Sequence, residues 1–319
     1  MTAISLSEAH GRNRAQKVAM VVMLAVLLAA PFFVYPYFLM QALCFALLAC
    51  AFNLLVGYVG LLSFGHAMFM GTGAYICAHL AQARGVPVEF AIPAGMLVAA
   101  LVGVVAGALS IRRQGIYFSM TTLALSQLIY FLALELPFTH GEDGIQPVPQ
   151  TKIFGGLLDL GHPLQIYYFV LVIFFAGFLL IYRVINSPFG EVLKSIRENE
   201  PRAISLGYKV DQYKLMAFVL SATLAGLAGA TKALVVQNAS LSDVYWTTSG
   251  EIVLMTLVGG MGTIFGPVIG AFIVSAMQVY LSGLGQWVTV IQGVIFVTCV
   301  LAFRRGIVGE IAAKFGLNL

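Results

Sequence analysis

The chain has 319 residues, of which 60% are hydrophobic and only 9% charged, with a formal net charge of +4. Soluble domains carry roughly 25% charged residues, so this composition excludes a water-soluble globular protein. A membrane-spanning β-barrel is excluded as well, because its strands alternate polar and apolar residues whereas 18–30 is apolar without interruption.

Residues 1–17 form a polar N-terminal segment carrying Arg12, Arg14 and Lys17. A stretch without Asp, Glu, Lys or Arg then runs from 18 to 83, and a second from 252 to 303. A helix needs about 20 apolar residues to cross roughly 30 Å of hydrocarbon. The fold expected is all-α and polytopic, with about ten transmembrane helices at 18–38, 39–57, 62–82, 90–111, 115–136, 164–185, 214–235, 249–259, 264–283 and 286–303. The first is read as uncleaved, since Pro31 and the aromatics Phe32, Phe33, Tyr35, Tyr37 and Phe38 stand where a small-residue cleavage site would be. Basic residues favour the cytoplasmic side. With the N-terminus inside, only Arg84, Lys152 and Lys232 of the 17 Lys and Arg fall outside or near the outer end. Both termini are therefore expected in the cytoplasm, with 304–319 as a tail, 186–214 as a cytoplasmic loop and 137–163 as an external one.

The segment 249–259 is about half a crossing long and ends in Gly259-Gly260-Met261-Gly262, which suggests a broken or re-entrant helix. Val56-Gly57-Tyr58-Val59-Gly60, followed by Phe64-Gly65, echoes Val258-Gly259-Gly260-Met261-Gly262, followed by Phe265-Gly266. Two such breaks suggest an internal duplication with a translocation path at their junction. The alternative is that these glycines serve close helix packing.

In the loop 186–214, Val192, Leu193 and Ile196 share one helical face, with Glu191, Lys194 and Glu198 around the other. Asn199-Glu200-Pro201 reads as a second helix start, Ala203, Ile204 and Leu206 as its apolar face, and Gly207 as its stop. Such a pair fits a groove on a partner protein; it equally fits a solvated connector or a helix on lipid headgroups. The external loop carries Glu142, Asp143 and Asp159 against Lys152, with His140 and His162.

Ionisable groups at membrane depth are few: Glu251, Glu135 and Lys232, the last placed to snorkel towards an interface. His66 reads as a neutral histidine bonded between helices. Asn53, Ser63, Thr121, Thr122, Ser126 and Gln127 offer polar faces for helix–helix hydrogen bonds or for a path. Cys44, Cys50, Cys77 and Cys299 lie inside apolar spans without metal spacing. An ion-coupled carrier would need a midplane carboxylate set, for which Glu251 is the sole candidate. No zinc-protease motif, nucleophile elbow or phosphate-binding loop occurs, so an enzyme is not expected and the chain needs no cofactor of its own.

Four motifs in order carry a family resemblance. They are Gly57-Tyr-Val-Gly60-Leu-Leu-Ser63-Phe-Gly65-His66-Ala, Gly115-Ile-Tyr117-Phe-Ser-Met-Thr121-Thr122-Leu-Ala, the loop from Asn186 through Gly190, Arg197 and Glu200 to Gly207-Tyr, and Gly259-Gly-Met-Gly262-Thr263-Ile-Phe-Gly266-Pro267. Together they resemble the permeases of branched-chain amino-acid ABC transporters, a family whose related members handle urea or short amides. The resemblance implies a bacterial inner-membrane importer in which this chain is the longer-loop member of a pair of permease subunits. Two cytoplasmic ATPases would bind the ATP and an external binding protein would deliver the solute; nucleic acid has no part in it. Glu191, Val192, Leu193, Ile196, Arg197, Glu198, Asn199, Glu200 and Gly207 would then couple to the ATPase. Asn53, Gly57, Gly60, Ser63, Gly65, His66, Thr121, Thr122, Gln127, Glu251, Gly259, Gly260, Gly262, Thr263 and Gly266 would form the path. The Glu-Ala-Ala run of the wider ABC importers is missing from the loop.

Overall fold

The computed structural model describes residues 4–150, 152–153, 158–281, 283, 285, 287–302 and 306–314. Arg304 and Arg305, counted above as inside charges, lie outside them. The described chain is almost wholly helical. The helices are α1 (Ile4–Ala29), α2 (Pro36–Tyr58), α3 (His66–Ala83), α4 (Val88–Ser110), α5 (Ile116–Glu135), α6 (Pro163–Ile185), α7 (Pro188–Glu198), α8 (Glu200–Ser205), α9 (Val210–Val236), α10 (Trp246–Gly259), α11 (Gly266–Leu281), α12 (Trp287–Ala302) and α13 (Gly306–Lys314). The extended structure described is a two-residue antiparallel pairing of Lys152–Ile153 with Leu158–Asp159, and a single bridge between Ile145 and Ala239.

Five helices, α2, α4, α5, α6 and α9, are long and apolar enough to cross a membrane, and shorter apolar stretches occupy 16–32, 266–281 and 290–299. The chain is a multi-pass membrane protein. Each of the ten expected segments overlaps a helix, five of them with the length and hydropathy of a crossing, and the first segment and the C-terminal tail are corrected. The first helix starts at Ile4, inside the segment read as a polar N-terminus, and stops at Ala29 rather than 38. Pro31 lies in a 3-10 turn, and the chain restarts as α2 at Pro36, whose fixed φ and missing N–H suit a first helical position. The stretch after 305, read as a tail, forms α13, which packs on α10 and α11 and buries Val308.

α2 lies at the centre, buried along almost its whole length, and α9 packs beside it against α3 and α4. A helix that is apolar all round belongs in such a position. Small residues bring the backbones of α3, α4 and α9 together. A Cβ on Gly73 would collide with the carbonyl of Gly226, one on Gly229 with that of Met70, and one on Gly95 would stand 2.6 Å from the Gly73 oxygen. The outer helices keep apolar faces exposed, for example Leu97, Leu101 and Val105 on α4 and Met120, Leu128 and Phe131 on α5. Faces of this kind suit lipid or a second membrane subunit rather than water.

Candidate functional site: two glycine turns clasped by Arg197

The two glycine-rich segments are both helix–turn–helix units. α2 ends at Tyr58 and α3 begins at His66; α10 ends at Gly259 and α11 begins at Gly266. The turns meet. Asn53, near the end of α2, donates from Nδ2 to the Thr263 carbonyl at 2.9 Å and accepts from the Gly262 N–H through Oδ1 at 2.9 Å. Gly57 has room for no side chain, since a Cβ there would stand 2.8 Å from the Gly262 nitrogen. Gly60 and Gly262 have φ of +83° and +76°, a region a side chain disfavours.

Helix α7 supplies the third part. Ser187 caps it by accepting from the Gly190 N–H at 3.4 Å, and Pro188 occupies its first turn. Arg197, in its last turn, donates from Nη1 to the Gly57 carbonyl. That carbonyl belongs to the C-terminal turn of α2, where carbonyls lack helical partners and the helix dipole favours a cation. The stem of Arg197 lies over Gly60, where an added Cβ would sit 3.2 Å from Cγ, and its tip lies beside Gly262, 3.2 Å from a Cβ there. The Arg197 charge is thus directed at backbone, whereas Lys194, Lys214 and Lys232 pair with the carboxylates of Glu191, Glu200 and Asp243.

The remaining expected path residues divide into groups. Turn 59–65 is braced from α5: Thr122 Oγ1 accepts from the Phe64 N–H at 3.2 Å and Ser119 Oγ donates to the Leu62 carbonyl at 2.6 Å. Within that turn, Ser63 Oγ accepts from the Gly65 N–H at 3.2 Å. Ser249 of α10 accepts from the Ala67 N–H at 2.9 Å, in the first turn of α3. His66 is fully buried between the edges of Phe52 and Phe69. The Ser221 hydroxyl donates to the Ala51 carbonyl at 2.5 Å, so His66 Nε2 must donate to Ser221 Oγ at 2.8 Å. It is the interhelical histidine the sequence suggested. Gly259 and Gly266 are contact points between α10 and α11, since a Cβ on Gly259 would collide with the Gly266 carbonyl. Gly260 abuts Gly306 of α13, and Thr263 Oγ1 donates to the Gly260 carbonyl at 2.8 Å. Thr121 bonds its own helix at Tyr117, and Gln127 is half-buried on α5.

Two expectations are corrected. Lys232, read as snorkelling, is held in an ion pair: its ammonium meets the buried Asp243, its side chain is 13% exposed, and it stands 5.3 Å from the Phe45 ring centroid. Asp243 carried no reading from sequence, because it sits in a connection between helices. Glu251 bonds to Gln278 within electrostatic reach of both Lys232 and Asp243. The second correction concerns the loop. Leu193 and Ile196, expected to anchor a partner, are 1% and 3% exposed and pack inward, Leu193 in the main core and Ile196 with Ala203 and Val210. Val192 is partly buried beside them. The exposed apolar residues lie further on, Ile204 and Leu206 at 57% and 68% and Tyr208 behind them. Glu191 and Glu198 face outward, Asn199 caps α8 by accepting from the Arg202 N–H at 3.1 Å, Glu200 pairs with Lys214, and Gly207 turns the chain at φ +88°.

Known proteins match over most of the chain. Residues 34–302 fit the family described as branched-chain amino acid transport system, permease component. The chain is 25% identical over 324 residues to the high-affinity branched-chain amino acid transport system permease protein LivM of Escherichia coli K12, covering 93% of this chain and 76% of that one. It is 23% identical over 287 residues to LivH of the same organism, covering 83% and 91%. A shorter match, 28% over 203 residues and 60% and 56% of the two chains, links it to the L-arabinose ABC transporter permease protein AraH of Azospirillum brasilense. No solved structure matches. The family match spans both glycine turns and the Arg197 helix, and the chain belongs to the branched-chain amino acid transport permease family.

Proposed function

We propose that this permease subunit of a branched-chain amino acid ABC importer crosses a bacterial inner membrane ten times, with both termini in the cytoplasm. In this reading it pairs with a second related permease, two ATPases dock on its cytoplasmic face, and a binding protein docks on 137–163. The two glycine turns descend from an internal duplication. The likeness to both LivM and LivH supports the pair. The distribution of Lys and Arg supports the orientation. ATP must be hydrolysed elsewhere, as no phosphate-binding loop occurs in the chain. The ATPase-facing surface is the exposed face of α8 and the turn after it, Ile204, Leu206 and Tyr208 ringed by Glu198 and Arg202. Apolar anchors inside a polar rim are how such docking draws its energy.

The observation that carries this reading is the contact of Arg197, from the loop assigned to the ATPase, with the junction of both glycine turns. Reconstitution tests it. Proteoliposomes holding both permeases and the ATPases, supplied with loaded binding protein, should take up radiolabelled leucine only with internal ATP. Uptake that persists without ATP and collapses with an ion gradient would refute it. Cysteine labelling at position 198 from the outside of intact cells would refute the orientation.

A further inference from the structure

We propose that Arg197 is the positioning residue through which displacement of α7 is delivered to both glycine turns at once. This rests on reading 188–208 as the ATPase-facing segment. Three observations converge on it. α7 is anchored inward by Leu193 and Ile196, so it moves with the protein body rather than flapping from it. Its last turn is tied to the end of α2 by the bond from Arg197 to the Gly57 carbonyl. The same guanidinium lies against Gly262, which Asn53 bonds back to α2. Arg197 is thus the third corner of a closed loop of contacts joining α7, the end of α2 and the α10–α11 turn.

The chemistry suits that task. A guanidinium offers several N–H donors in a fixed plane, so it can hold one carbonyl and remain in contact with a second backbone segment. Its partner is an unpaired helix-end carbonyl, whose bond to a cation is stronger than a neutral one. The glycines leave the groove in which the stem lies. A push on α7 therefore reaches α2 and the α10–α11 turn together, and neither can shift without the other while the clasp is made.

The test compares Arg197→Met, which keeps a long stem over Gly60 but removes every N–H donor, with Arg197→Lys, which restores a cation but places its donors at one point rather than in a planar fork. Both go into the complete transporter in proteoliposomes, and three quantities are measured: ATPase retained in a pull-down, ATP hydrolysis stimulated by loaded binding protein, and leucine taken up. For R197M the expectation is full ATPase retention, continuing hydrolysis, and a fall of about tenfold in leucine moved per ATP, as for loss of one charged hydrogen bond. R197K should recover part of that ratio. A ratio within about twofold of wild type in R197M would overturn the proposal, since coupling would not run through the donor. Loss of the ATPase in R197M would also overturn it, making Arg197 a docking contact. Should R197M not accumulate in the membrane, R197K alone decides, and a ratio indistinguishable from wild type with a point ammonium in place of the planar fork would overturn the two-segment clasp. If ATPase retention survives both Ile204→Asp and Leu206→Asp, the docking reading itself fails, an outcome separate from any ratio.

Discussion

Asn53→Ala probes the junction most directly. The amide spans it with two hydrogen bonds of 2.9 Å, to the Thr263 carbonyl and from the Gly262 N–H, and is itself 3% exposed. Alanine keeps helix α2 intact and removes both bonds. At the average of about 0.6 kcal/mol for a membrane-protein hydrogen bond, the loss would be about 1.2 kcal/mol. Two backbone groups left dry and unpaired would instead cost about 2–6 kcal/mol. Access of water decides between these limits. Both bonds are only part-buried, and Met261 beside them is 47% exposed, so water can reach the orphaned groups. The expected loss is therefore about 1–2 kcal/mol. Unfolding of the purified chain by SDS in mixed micelles, followed by the fluorescence of Trp246 and Trp287, measures it. Asn53→Asp keeps the acceptor for Gly262 but sets a carboxylate oxygen against the Thr263 carbonyl, so it should destabilise at least as much as alanine. Both variants lying within about 0.3 kcal/mol of wild type would refute the clasp as an energetic feature.

Three further outcomes are expected. Lys232→Met strands the Asp243 carboxylate and should cost about 3–5 kcal/mol by the same assay, whereas Lys232→Met with Asp243→Leu should recover most of it; equal losses in the two would contradict a buried pair. Gly60→Val and Gly262→Val combine about 1–3 kcal/mol of backbone strain with displacement of Arg197, and should reduce uptake more than expression. Gly85→Ala, at φ +61° with open space around it, carries strain alone and should keep uptake. Leu193→Asp with Ile196→Asp should lower the amount of permease in the membrane, because both are core residues, while Ile204→Asp with Leu206→Asp should leave that amount unchanged and release the ATPase in a pull-down.

Helix order was legible in the sequence because apolar length and glycine punctuation are local signals. The glycine motifs at 57–65 and 259–266 also marked the junction, but not the bond across it. Asn53 and Thr263 stand 210 positions apart, and one polar residue in an apolar run does not name its partner. The amphipathic face of α7 was legible too. What pattern could not tell was whether Leu193 and Ile196 face another protein or their own core, since both give the same periodicity. Lys232 was misread because its partner, Asp243, lies in a connection with no periodicity of its own. The helical start at Ile4 escaped because residues 4–17 carry no apolar stripe to announce it.

The backbone contacts among α3, α4 and α9 set what can yield in this protein. Where Gly73 lies on Gly226 and Gly229 on Met70, no side chain stands between the helices, so no rotamer change can absorb a gradual slide. Those three helices form a keel. The turns beside them are fastened by side chains as well: the α10–α11 turn by the Asn53 amide and the Arg197 tip, the 59–65 turn by two hydroxyls of α5 and the Arg197 stem, and Ala67 by the hydroxyl of Ser249. Fastenings of one or two hydrogen bonds can be exchanged for water and remade at little cost. The α3–α4–α9 contacts are thus stiff because backbone meets backbone, while the turns beside them are held by polar fastenings that can yield.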